Sequence, residues 1–305
     1  VTKTFYARRF LPFVAVASLA LTACGSGNPV ASAGEAFRLN GTPYSIKDFD
    51  ALNDALVAVG QYNSENGTIS RTDLAVTLSV LIRYQAYVDF IKVNGLKETD
   101  EDLQAVIAEA NLEPNFATYP QALREALLKL NVSDRVMERV SAPSADALKK
   151  LYNKMPASAG VLCLSHILVE TEAEAREVLK SVSSGTPFAD VAAAKSIEPG
   201  ADQSGGALKN GDEDCNALPS LQQSFDNDFM VGAIAAKPGV PTGPIKTQFG
   251  WHIILSHPFD DVKESAARVL AQNAGALLLA GHLAAANVSV NSKYGVWNGA
   301  SGNIN

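Results

Sequence analysis

The sequence predicts an α+β protein: a small antiparallel sheet with surrounding helices, inserted in a helical domain built from both ends of the chain. Three observations lead there. Apolar residues recur at helical spacing before residue 155 and again from 262 to 286, the second run too apolar to stand alone in water. Between them, β-branched runs around His166 and His252 read as strands. The intervening order, β-α-α-loop-α-β-β, fits helices packed around an antiparallel sheet.

Each element has its local reason. Ala36–Leu39, Asn40-Gly41 and Thr42–Tyr44 read as a hairpin with a type I′ turn. Ser45 can cap a helix carrying Phe49, Leu52, Leu56 and Val59 on one face, and Ser70 with Asp73 opens a longer one carrying Leu74, Leu78, Leu81 and Val88. Asn94-Gly95 closes that helix. Further helices are expected at 99–110, 119–130 and 133–140, and Pro143-Ser144 caps one through Met155. Val161 to Val169 reads as a strand, and Thr171 with Glu174 forms a capping box for the next helix. Thr186-Pro187 starts another helix, and Glu198 to Asp214, rich in Gly, Asp and Asn, reads as loop. A helix over 220–235, a turn at Gly239–Gly243 and strands at Ile245 and Trp251–Leu255 complete the insert. Val262 to Ala286 reads as one alanine-rich helix, with Val288, Val290, Tyr294 and Trp297 in a short extended tail.

Composition narrows the function. With 47% hydrophobic and 19% charged residues the chain has a substantial core, and 305 residues suit about two domains. A net charge of −7 without a basic run argues against nucleic-acid binding. The start reads as an address: Lys3, Arg8 and Arg9 precede the apolar run Phe10 to Ala20, then Leu21-Thr22-Ala23-Cys24. Small residues before that cysteine resemble the bacterial lipobox, which implies cleavage before Cys24 and a diacylglycerol on its thiol. The run is too short for a permanent span. The expected location is therefore the outer face of the bacterial cytoplasmic membrane. Loss of the three leader cations would make the protein more acidic still. Cys163 and Cys215 can form one bridge in an oxidising compartment or remain two unpaired thiols, one of them buried. On a regular strand Cys163 faces away from His166.

Two of the four histidines stand in matching His-Ile contexts, Ser165-His-Ile-Leu-Val169 and Gly250-Trp-His-Ile-Ile254, as expected when neighbouring strands turn imidazoles toward one site. His257 and His282 read as surface or helix-end residues without an assigned role. No Gly-x-Ser-x-Gly elbow supports a serine hydrolase, and no ligand spacing supports a metal. No phosphate-binding loop is visible, so neither cofactor nor nucleotide is expected.

From about 158 to 259 the chain resembles parvulin-type peptidyl-prolyl isomerases. The resemblance rests on Ser165–Val169, on Gly243-Pro244 with Lys246-Thr-Gln-Phe-Gly-Trp-His-Ile-Ile254, and on Ser196–Gly200 with Gly205-Gly-Ala-Leu208. The flanks are similar to the SurA and PrsA class of exported folding factors: Phe37 to Phe49, and Pro143 to Tyr152 leading into the insert. The organisation so implied is a signal peptide at 1–23, a flexible tether at 24–34, a helical chaperone-like domain at 35–157, a parvulin-like domain at 158–259, and a C-terminal helix and tail at 260–305 packed on the helical domain.

The resemblance implies roles. His166 and His252 would be the paired histidines, with Thr247 in their polar network and Glu198 beside the twisting bond. Phe229 would form the aromatic wall of the proline pocket, with Phe225 at the neighbouring position usually held by Met or Leu, and Phe249 also contacting substrate. The partners implied are unfolded or proline-containing exported polypeptides. The sequence departs from the family at Ala207 and Lys209, within a Gly-Gly-Asp-Leu-Gly turn, and in a longer loop from Asn210 to Ser220. Those departures favour an alternative, a non-catalytic holdase using the same domain to bind peptides.

Overall fold

The structure, a computed structural model, describes residues 31–305, so the leader, Cys24 and most of the expected tether lie outside the described residues. The strands β1 (Glu35–Leu39) and β2 (Thr42–Ser45) form the hairpin, and Asn40 (φ 46°) and Gly41 (φ 87°) both take the positive φ that a type I′ turn requires. Ser45 accepts from the Asp48 N–H to start α1 (Ile46–Ala58). A tight hairpin, β3 (Ser64–Glu65) and β4 (Thr68–Ile69), leads to α2 (Arg71–Val93), capped by Ser70. This helix is long and apolar enough to cross a bilayer, yet Leu78, Ile82 and Tyr87 are buried in the core. Then come α3 (Asp100–Ala110), α4 (Gln121–Glu138) and α5 (Ala145–Lys154). The break expected within α4 does not occur. Asn131 and Ser133 turn their side chains back onto the carbonyls of Leu127 and Leu130, and the helix continues through them.

The insert begins with β5 (Val161–Leu162) and β6 (Leu164–Val169), one expected strand interrupted at Cys163. Helices α6 (Glu172–Ser183), α7 (Phe188–Lys195) and the short α8 (Ala201–Ser204) follow, then β7 (Asn216–Ala217), which pairs with β5. The helix expected at 220–235 is two, α9 (Leu218–Ser224) and α10 (Asn227–Ala235), because Phe225 is extended and Asp226 caps the second. The last strands, β8 (Thr242–Thr247) and β9 (Gly250–Ser256), complete an antiparallel sheet in the order β6-β9-β8. The open edge of β6 is covered by the following loop: Ile197 N–H donates to Leu168 O, His166 N–H to Gly206 O, and Leu208 N–H to Leu164 O.

The C-terminal helix is also two helices, α11 (Phe259–Gln272) and α12 (Ala274–Ala284), broken at Asn273, whose side chain caps the second. The tail is more than extended chain. Its β10 (Val288–Val290) pairs antiparallel with β1, giving the helical part a three-stranded sheet, and β11 (Trp297–Asn298) folds back on β12 (Asn303–Ile304).

Both chain ends share their cores. Phe37, Phe49, Leu78 and Ile82 pack with Val288, Val290 and Tyr294, and the Phe49 and Tyr294 rings meet edge to face at 4.8 Å. Tyr87, Val132 and Tyr152 pack with Phe259, Val269, Leu270 and Leu277. At each of these buried side chains, removal from water contributes roughly 1.5–3 kcal/mol. α12 passes so close to the turn before β5 that a Cβ on Gly281 would stand 2.5 Å from the Ser158 carbonyl oxygen and 2.6 Å from the Gly160 nitrogen. Cys163 and Cys215 are bonded within the same core and close a loop of sequence separation 52 that contains β6, α6, α7 and α8.

Two consequences are measurable by urea denaturation. Gly281→Ala should cost about 1–3 kcal/mol, because the new methyl meets backbone that cannot yield. Replacing both Cys163 and Cys215 by Ala should cost about 2–4 kcal/mol, chiefly through the freed unfolded chain.

Candidate functional site

The site follows from the register of β6 on β9. His166 lies opposite Ile254 and Leu168 opposite His252, so the two histidines are diagonal neighbours on one face of the sheet. Their rings stack at 5.5 Å, 13° apart, with the two Nδ1 atoms 3.3 Å from each other. The register also sets Ile245 beside His252, and Thr247 Oγ1 lies 2.9 Å from His252 Nε2. The Phe249 N–H donates to the same hydroxyl (3.1 Å), fixing its orientation.

This relay has a defined proton inventory. One proton between the two Nδ1 atoms satisfies both; a second would set two N–H donors face to face. His166 and His252 are buried, and burial pushes each imidazole down to about 4. His252 adds to the effect at His166, whereas the Asp226 carboxylate opposes it at His252. At neutral pH both rings are therefore uncharged.

Helix α10 and the extended residue before it supply the aromatic side. Phe229 meets His166 at 5.6 Å and His252 at 5.2 Å, both edge-on, and stacks on Phe225 at 4.8 Å. The two rings differ in burial: Phe229 is 1% exposed and braces the histidines from within, while Phe225 is half-buried. Phe225 falls in the break between α9 and α10, which the periodicity did not disclose.

Two further expected residues are Glu198 and Phe249. Glu198 is half-buried on the loop along β6, one residue beyond the Ile197 that bonds Leu168. Phe249 is 64% exposed and joins the network through its backbone rather than its ring. Ala207 forms a bridge with Ser165, and Lys209 pairs with Asp214, so the departures from the family pattern are built into the cover of β6. Sequence reading passed over His257 and His282. His257 Nε2 lies 2.9 Å from Ser165 Oγ, on the sheet face away from the paired histidines, and His282 bonds Asp89 at 3.0 Å. It also passed over Asp226, whose only signal was an Asp-Asn-Asp run suited to a helix cap. A groove of about 410 Å³ between α6 and α7, lined by Val169, Val178 and Val191, holds none of the expected residues. Among the described residues no cluster of His, Cys, Asp and Glu could hold a metal ion.

The buried histidines predict an acid limb. Each takes up a proton more readily unfolded, near 6.5, than folded, near 4, so stability is full above 6.5 and falls as pH drops toward 4. Per proton the slope is about 1.4 kcal/mol per pH unit. Urea titrations from pH 7 to pH 4.5 should show that loss, reduced in His252→Gln.

Comparison with known proteins bears on the same residues. A family model for the PPIC-type PPIase (rotamase) domain matches residues 166–257. The foldase protein PrsA of Clostridium botulinum (strain Hall) is 32% identical over 195 residues, covering 59% of this chain and 56% of the relative. That of Clostridium kluyveri is 31% identical over 134 residues, 44% of this chain and 36% of the relative. The chain thus spans little more than half the length of the first relative and about a third of the second. Among solved structures, PrsA from Bacillus subtilis is similar with TM-score 0.30 and 22% identity, over 80% of this chain and 88% of that one. NmPin, the parvulin of Nitrosopumilus maritimus, is similar with TM-score 0.28 and 28% identity, over 32% of this chain and 96% of its own. Residues 166–257 thus match the parvulin-type PPIase domain, in a chain whose sequence is similar to those of PrsA foldases.

Proposed function

We propose that the protein is a peptidyl-prolyl cis-trans isomerase and folding factor for exported proteins, held at the membrane by a lipid on Cys24. The observation that carries the reading is the neutral His166–His252 pair, braced by Phe229 and bordered by half-buried Phe225, inside the matched segment. The lipobox-like Leu21–Cys24 supports the anchor.

The chemistry asks for little covalent participation. Rotation about an Xaa-Pro bond meets a barrier of about 18–20 kcal/mol from amide resonance, and no bond breaks. A site accelerates it by holding the twisted amide better than the planar one, each tenfold requiring about 1.4 kcal/mol. Phe225 takes the proline ring and keeps water from it. The histidine pair below presents an uncharged, hydrogen-bonded surface, with Thr247 fixing its protons. Glu198, on the loop covering β6, is assigned the β6 side of the peptide in this reading. A groove between α1, α2 and α4, lined by Tyr44, Leu52, Leu81, Tyr84 and Leu130, gives the helical part apolar surface for an unfolded client. One observation favours the holdase reading: Ala207 and Lys209 are fixed in the cover of β6, where the family pattern has Asp and Gly.

NMR exchange on Xaa-Pro peptides separates the two. We expect exchange well above background with the wild-type chain, and a loss of tenfold or more in Phe225→Ala and in His252→Ala with the fold intact by circular dichroism. A folded wild-type protein that accelerates no peptide overturns the isomerase and leaves a peptide-binding domain.

A further inference from the structure

We infer that Asp226 makes this site select peptides with a basic residue next to the proline, over those with an acidic or phosphorylated one. The inference rests on the isomerase reading above and names the substrate class of that site.

Asp226 is half-buried, follows Phe225 directly and precedes α10; the Phe225 ring lies 6.5 Å from that of His166 and stacks on Phe229, so the chain sets this carboxyl-bearing residue at the aromatic side of the site. Its field reaches the site: it is the carboxylate that favours the protonated form of His252. Its Oδ1 accepts from the Asp228 N–H at 2.9 Å, and its Oδ2 has no hydrogen-bond partner among the described residues. No ion pair to Asp226 occurs among the described residues, and three cations of the same segment and its flank are engaged elsewhere: Lys209 pairs with Asp214, Arg268 with Glu213, and Lys246 lies over Trp251 at 4.9 Å, on the face of the sheet away from the histidines. The positive end of α10 amounts to about half a charge, against the full charges of Asp226 and Asp228 in its first turn. With both histidines neutral, the charge met by the residue flanking proline is negative.

A half-buried carboxylate acting on a side chain at the rim supports a modest effect. We expect kcat/KM about 3- to 10-fold higher for Lys-Pro and Pro-Lys peptides than for their Glu counterparts at low ionic strength, with the ratio shrinking at 0.5 M salt. The test compares the Lys:Glu ratio in the full chain with that in Asp226→Asn, which keeps a good helix cap. The proposal expects a ratio near one in the variant, whatever its absolute rates. Equal turnover of Lys and Glu peptides by the wild type overturns the inference and leaves the isomerase standing, as does a ratio that survives in Asp226→Asn. Failure of every peptide to turn over, neutral Ala-Pro included, removes the isomerase reading itself. Anisotropy titration with the same labelled peptides then decides the inference, and equal affinities for Lys and Glu peptides overturn it.

Discussion

The pairing of β6 with β9 is the constraint on which the rest of the site depends. Six consecutive residue pairs, from Leu164↔Ser256 to Val169↔Trp251, set which side chains share a face. A slip of one residue would send one histidine to the opposite face and part the pair. The register is held from both sides of the sheet. Ile167, Val169 and Ile253 pack against Ala175, Val178 and Val182 of α6, while Leu164 and Ile254 pack against Phe229, Met230 and Ala233 of α10. Two hydrophobic clusters thus fix a polar contact between them. That order of causes matters, because two buried imidazoles joined by one proton could not choose a register unaided.

The polar chemistry is correspondingly shielded. The edge of β6 carries no free ladder of donors, since the loop from Ser196 to Leu208 bonds Leu168, His166 and Leu164 in turn. Gly206 belongs to this arrangement: at φ +79° its α-carbon lies so near His166 that a Cβ would stand 2.3 Å from the His166 carbonyl oxygen. The same loop carries Glu198 and leads to Cys215, whose bond to Cys163 returns it to the start of the sheet. Cover and staple are one continuous segment. Its rebuilding at Ala207 and Lys209 leaves the contacts of His166, His252, Phe225 and Phe229 in place.

The helical part solves a different problem. None of its elements can bury its apolar face within its own stretch of chain, so the first strand and the last elements complete one another: β10 lies on β1, Tyr294 on Phe49, and α12 against α2 and α4. The segment around the paired histidines leaves and re-enters this body through α5 and α11, which meet at Tyr152 and Phe259 with ring centroids 5.5 Å apart. The hydroxyl of Tyr152 donates to the His257 carbonyl at 3.0 Å, tying the exit of β9 to the entry helix.

Much of this was legible in sequence, and for local reasons. The Asn40-Gly41 turn, the Ser45, Ser70 and Ser144 caps, and the Thr171–Glu174 capping box each depend on residues within four positions of one another. The matching His-Ile contexts located the paired strands because a strand's alternation is itself a local pattern. What tertiary structure decided was where continuous patterns stop. The Asn-Val-Ser run in α4 did not break its helix, whereas Phe225-Asp226 and Asn273 broke theirs, and helical periodicity reads alike through both cases. The different burial of Phe225 and Phe229 goes with one such break, because spacing shows which residues share a helix face but not how deeply each is buried. That depends on the β6-β9-β8 sheet against which α10 packs, and the sheet is assembled from strands remote in the chain.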